Sequence, residues 1–241
     1  MQLRERRVLI ICRAMSESEP DNTGHRARLR QRLNEGGGDA LLDHELIEYL
    51  LALAIPRRDT KPLAKALLHE FGGIAGLLTA EPAALARVPG MGETSIAALK
   101  IAHAAALRLV KATVADRPIL ANWQALLDYL RADMAHDGIE RFRVLHLNTK
   151  NMLIRDEVMS KGSIDQAAVY IREVIRRAIE FGSAAIILVH NHPSGDPAPS
   201  RADIEITRSI AEAGKRLNIA VHDHVIIGAS GHASLRAMGL I

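Results

Sequence analysis

Residues 190–203 read HNHPSGDPAPSRAD and set two histidines, two aspartates, two serines and three prolines directly behind the apolar run Ala184–Val189. The run suits a strand buried on both faces, and Val189 ends it. His190 and His192, two residues apart, then project to one side of the chain as it leaves the sheet. The prolines of the following loop restrict its path, as a preorganised site requires. A helix opens at Ser200 or Arg201, with Asp203 on its first turn. His190, His192 and Asp203 together offer two imidazole nitrogens and one carboxylate oxygen, a three-ligand set that leaves a fourth tetrahedral position open. That is the pattern of a catalytic zinc site. A structural reading stands beside it: Ser200-Arg-Ala-Asp203 also fits a capping box, and histidines at a strand end can serve packing or hydrogen bonding alone.

The elements that must position these residues can be read on either side. RFRVLHLN alternates polar with apolar residues, NMLIRDEVM does so less cleanly, and Thr149–Asn151 is the turn between two antiparallel strands. AAVYIREVIRRAIEFG reads as a helix ended by Gly182, RADIEITRSIAEAGKRL as another, and IAVHDHVIIG as a further strand. Ahead of them, NWQALLDYLRADMAH is a helix with Asn122 as its cap. Residues 119–241 are therefore mixed α/β.

The first part of the chain is helical instead. GHRARLRQRL, LLDHELIEYLLALAI, TKPLAKALLHEFGG and EPAALARV repeat apolar residues at spacings of three and four, with proline at entry and glycine at exit. Arg26, Arg28, Arg30 and Arg32 read as the solvated face of such a helix. Pro89, Gly90, Met91 and Gly92 make a tight hairpin before a long alanine-rich helix, and its amides suit contact with a phosphate. The same turn is also simply a good connection, and Glu93 would repel an anion. The helical pattern ends near Thr113 and Pro118 breaks it, so the reading divides the chain into an unassigned segment 1–20, a helical domain 21–112, a linker 113–118 and an α/β domain 119–241.

Composition sets the outer bounds. With 241 residues, 48% of them hydrophobic, the chain can bury a sizeable core without disulfides. Its single cysteine, Cys12, has no internal partner. Val8–Cys12 is too short for a signal peptide, and no stretch approaches the roughly 18 apolar residues of a membrane helix, so the expected compartment is the cytoplasm, without membrane attachment. The net charge of +3 does not by itself argue for nucleic acid. Its excess sits in residues 1–115, which hold 16 Lys and Arg against 13 Asp and Glu, whereas the remainder holds 15 of each.

HNHPSGDPAPSRAD resembles the His-x-His, seven residues, Ser-x-x-Asp signature of the JAMM (MPN+) metalloprotease domain. Together with the later DHVIIG it is similar to the RadC family in particular. The resemblance runs from Gly24 to Ile241. It implies an all-α, helix-hairpin-helix-like domain followed by a mixed α/β JAMM-like domain of the cytidine deaminase-like class. It further implies one zinc ion held by His190, His192 and Asp203, with a glutamate from an earlier strand activating water. Glu140, at the start of ERFRVLHLN, matches that glutamate, while Glu157 and Glu173 compete with it on spacing alone. Ser200 would donate to the oxyanion of the tetrahedral intermediate. The function implied is hydrolysis of amide bonds in a protein or peptide, including isopeptides. The alternative is a DNA-associated protein whose hairpin Pro89–Gly92 contacts the backbone and whose metal is structural or serves phosphodiester cleavage. His222, Asp223 and His224 read mainly as sheet residues, with His224 a candidate partner for a ligand histidine. One departure from the family, Ile171 where proline is usual, should alter the start of the helix near Arg172 and not the metal site.

Overall fold

The computed structural model describes residues 22–115, 118–162 and 170–241. The segment 1–20 with Cys12, the centre of the expected linker and the first residues of the AAVYIREV pattern lie outside them.

Six helices come first: α1 (Asn22–Gly36), α2 (Asp43–Ala54), α3 (Lys61–Glu70), α4 (Ile74–Thr79), α5 (Pro82–Leu85) and α6 (Glu93–Ala115). Proline opens α3 and α5, and Gly72 and Gly73, both at positive φ, close α3. Ile47, Leu51, Leu63, Leu67, Leu77, Leu85 and Leu99 form the core that these helices share. The arginine run is largely solvated, with Arg28, Arg30 and Arg32 exposed and Arg26 half-buried. Arg26 donates to the carbonyl of Ile55 at 3.3 Å and the exposed Arg32 pairs with Glu45 at 2.7 Å, tying α1 to α2. Guanidinium groups reach that far because their stems lie along the helix surface.

α6 also runs further than its sequence pattern suggests. It remains helical to Ala115, past the expected start of the linker at 113, and Val114 is 1% exposed within the core of the α/β region. Burial of Val114 anchors that last turn. Asn122 sits at the N-cap position of α7 (Trp123–Met134), yet its side chain does not cap: Nδ2 donates to the carbonyl of Thr113 at 3.0 Å. The residue read as a cap thus ties α7 back to α6.

Beyond α7 follow β1 (Arg141–Leu147), β2 (Leu153–Lys161), α8 (Ile171–Glu180), β3 (Ala185–Asn191), α9 (Arg201–Lys215), β4 (Ala220–Gly228) and β5 (Gly231–Ser234). They build one sheet of order β2-β1-β3-β4-β5, in which only β3 and β4 are parallel, joined by the crossover helix α9. β1 and β2 meet through Asn148–Met152, where Asn151 takes φ 57° and Asn148 Oδ1 accepts from the amides of Lys150 and Met152. α8 starts at Ile171.

Side-chain alternation divides the sheet between two cores. Leu145, Leu147, Ile187, Val189, Val225 and Ile227 face α7, whereas Phe142, Val144, Ile186 and Leu188 face α8 and α9. β3 is buried along its whole length, as its unbroken apolar run suggests. β1 is buried too, because β2 and β3 flank it, so two of its polar residues end up inside.

One of them, Arg143, donates from Nε to Asp156 at 3.0 Å and from Nη2 to the Tyr129 hydroxyl at 2.8 Å, and also pairs with Asp133. The Asp156 side chain is 1% exposed, so losing the guanidinium would leave a buried carboxylate without its main partner. Breaking such a pair costs about 3–5 kcal/mol. Arg143→Leu is expected to lower the unfolding free energy by about that amount in a denaturant titration, and a loss below about 1 kcal/mol would contradict the role assigned to this pair.

Candidate metal centre

The centre forms where β3 leaves the sheet. Its pairing with β4 persists one residue beyond the strand, since the His192 amide donates to the carbonyl of Ile227 at 2.8 Å. His190 and His192 therefore keep strand geometry and share the α9 side of the sheet. The chain then turns at Gly195, whose φ is 86°. The Gly195 carbonyl accepts from the Ser230 amide at 3.1 Å and the Ser230 hydroxyl at 2.7 Å. A Cβ on Gly228 would lie 2.4 Å from that carbonyl, so the glycine that ends β4 is what lets the proline-rich loop lie down against the sheet.

At the start of α9 the capping box forms in full. The Asp203 amide donates to Ser200 Oγ at 3.1 Å, and the Ser200 amide donates to Asp203 Oδ2 at 2.7 Å. The structural and chemical readings of these residues are thus compatible. The cap aims the Asp203 carboxylate at the histidines, and the exposed Ser200 keeps its hydroxyl proton to give elsewhere.

His190 Nε2 and His192 Nε2 lie 2.9 Å apart, with Asp203 Oδ1 3.3 Å from the former and Oδ2 3.7 Å from the latter. One ligand atom from each residue falls within 4.8 Å of the others, so the three could hold a metal ion. His190 and Asp203 are buried at 1% and 5% exposure, while His192 is half-buried and opens the site to solvent.

The hydrogen bonds decide which nitrogens are bare. Thr207 Oγ donates its proton to the Asp203 carbonyl at 2.5 Å, so it can only accept from His224 Nδ1, also at 2.5 Å. Neutral His224 then has a free lone pair on Nε2, which accepts from His190 Nδ1 at 2.8 Å and leaves His190 Nε2 without a proton. His192 is fixed independently. Its Nδ1 donates to the Asp196 carbonyl at 2.8 Å, and its Nε2 is bare as well. Two lone pairs and a carboxylate thus converge on one point, an arrangement that a cation satisfies and that is repulsive without one. Burial keeps His190 in the neutral form by pushing its pKa well below the ordinary range, with Asp203 opposing and His192 adding to the shift. His224, fully buried, is likewise lowered by burial and by the two neighbouring imidazoles. Phe142 stacks on His190 with ring centres 6.4 Å apart and meets His224 edge-on at 5.8 Å, completing the dry side of the site.

The glutamates separate clearly. Glu140 is half-buried just ahead of β1 and, by continuing the register that pairs Phe142 with His190, sits opposite His192. Burial pushes its carboxyl up to about 7, with His192 opposing and Asp203 reinforcing the shift. Glu157 is held on β2 by Arg177, both oxygens 2.9 Å from its Nε, beside His146. Glu173 pairs with Arg176 at 2.8 Å on α8. His222 Nε2 donates to Asn151 Oδ1 at 2.8 Å, and Asp223 accepts from the His224 and Arg236 amides and from Ser234. None of these four side chains turns to the triad.

The Pro89–Gly92 hairpin stands apart from this site. Its Met91 amide donates to the Val88 carbonyl at 3.1 Å and its Gly92 amide to Ser95 Oγ at 2.9 Å, so both are already engaged. The Arg58 guanidinium lies over Gly90, 3.2 Å from where a Cβ would stand.

Sequence reasoning did not single out Thr207 or Asn191. For Thr207 a signal existed, since it lies four residues after Asp203 and so on the same helix face. Two family models match the chain: one described as RadC-like JAB domain, over residues 120–240, and one described as UPF0758 N-terminal, over residues 21–97.

Groups that orient a ligand histidine typically change metal affinity by about 10–100-fold. Thr207→Val keeps the shape but frees the tautomers of His224 and His190, so zinc affinity in a chelator competition is expected to fall within that range. Unchanged affinity would overturn the tautomer assignment.

Proposed function

Since the chain belongs to the RadC-like JAB domain family, we propose that it is a zinc-dependent hydrolase of amide bonds, a peptidase or isopeptidase. The observation that carries this reading is the pair of unprotonated Nε2 atoms, locked from behind and aimed with Asp203 at one point. Two imidazoles and a carboxylate are the donor set of hydrolytic zinc sites, and His190, His192 and Asp203 would hold the ion. Bound there, zinc would supply Lewis acidity, polarising a carbonyl and bringing the pKa of water down to about 7.

The chain's own groups would do the rest. Glu140, with a carboxyl near neutrality beside His192, takes the proton of the attacking water and returns it to the leaving amine. Ser200, whose oxygen accepts from the Asp203 amide, turns its free proton towards the oxyanion. His192 lies on the open side, where an extended peptide can approach, while Phe142 and α9 close the other.

Purified protein is expected to carry about one zinc per chain by elemental analysis, and His192→Ala to lose it with an unchanged circular dichroism spectrum. Glu140→Gln should keep the zinc and lose about 10²–10⁴-fold in the rate of peptide hydrolysis, the usual span for a general base, while Glu157→Gln keeps its rate. A Glu140→Gln protein of full activity, or cleavage of phosphodiesters in place of amides, would overturn the proposal.

A second reading, contact with a nucleic-acid backbone, rests on Arg58 at the hairpin. It expects the full chain to bind duplex DNA at low salt, with affinity falling steeply as salt rises and weakened by Arg58→Ala. No binding at low salt would remove it.

A further inference from the structure

We propose that Asn191, between the two histidines, is a positioning residue that holds Glu140 at the metal centre; this rests on Glu140 as the base. Strand alternation sends the side chain of Asn191 to the opposite face of the sheet from His190 and His192. There it is 1% exposed and reaches the connection between α7 and β1. Its Oδ1 accepts from the Arg141 amide at 2.8 Å, and its Nδ2 donates to the carbonyl of Ile139 at 3.1 Å, with the carbonyl of Asp137 at 3.4 Å. These groups bracket Glu140 on both sides.

The contacts matter because Glu140 lies outside the ladder. Pairing of β1 with β3 begins at Phe142 and His190, two residues further in. Towards β2, Glu140 has a backbone tie, its carbonyl accepting from the Gly162 amide at 3.0 Å. Towards β3, the Asn191 carboxamide takes the place of the missing ladder bonds, supplying the acceptor and the donor that a neighbouring peptide group would have supplied. Neither role can be split off: aspartate lacks the donor, leucine lacks both, and serine is too short. One residue therefore joins two functions. Its backbone carries a ligand on each side, and its side chain fixes the segment bearing the proposed base, so base and ligands keep a common frame.

The test uses full-length Asn191→Ala, with Glu140→Gln and the double variant, loaded with cobalt in place of zinc. The Arg141 amide should exchange with solvent about fivefold faster in Asn191→Ala, the loss of one net hydrogen bond, while Val144 and Leu145 stay protected. Cobalt affinity should stay close to that of the unaltered protein. The pH dependence of the cobalt absorption should move towards that of Glu140→Gln, and Asn191→Ala should add nothing in the Glu140→Gln background. If Asn191→Ala does not fold, Asn191→Ser reads the same quantities. Unchanged Arg141 exchange, or an equal effect of Asn191→Ala with and without Glu140, would overturn the proposal alone. A cobalt spectrum indifferent to Glu140→Gln would instead sink the reading of Glu140 as base, and this proposal with it.

Discussion

Two bare imidazole nitrogens 2.9 Å apart, next to a carboxylate, repel one another unless a cation lies among them. A protein free to relax would rotate one ring or protonate it. Here ring rotation is blocked at both histidines and protonation at the buried His190. Thr207 and His224 fix the ring of His190 from inside the sheet, and the Asp196 carbonyl fixes that of His192 from the loop. Burial makes the protonated forms expensive, which is why His190 and His224 lie well below the ordinary histidine range. Much of the α/β region serves to keep these lone pairs in place.

The sheet does this through its one parallel pair. β3 and β4 run side by side, so the ends that carry His190 and Gly228 emerge together, and α9 returns across them with Asp203 on its first turn and Thr207 one turn on. Three elements thus meet at one edge with their donors on a single face. The loop between them is held by Gly195 against Ser230, an approach that the absence of a side chain at Gly228 permits. The site faces away from the α7 side, where Arg143, Tyr129, Asp133 and Asp156 form a separate buried polar cluster.

The helical region is joined to this scaffold more firmly than its composition suggests. α6 enters the second core through Val114, and the Thr113 carbonyl accepts from Asn122. The connection is therefore a packed helix end as far as Val114. Polar residues read as surface or capping groups also tie neighbouring helices, Arg26 and the exposed Arg32 holding α1 to α2 and Asn122 holding α7 to α6.

The chain's own order of residues was enough for the broad division into helices followed by a mixed sheet, because apolar periodicity and the placement of proline and glycine are local properties. It was also enough to mark His190, His192, Ser200 and Asp203, whose spacing spans a strand end, a loop and a helix start without a long-range partner. Glu140 was different. Nothing local distinguishes it from Glu157 and Glu173, and its place opposite His192 follows from pairing strands some fifty positions apart. The same holds for the inner supports. Thr207, His224 and Asn191 acquire their roles only when β4, α9 and the start of β1 are brought against β3. Sequence therefore determined which groups could bind a metal, whereas tertiary structure decided which protons those groups carry and which carboxylate stands beside them, since hydrogen-bond partners and burial belong to the folded chain.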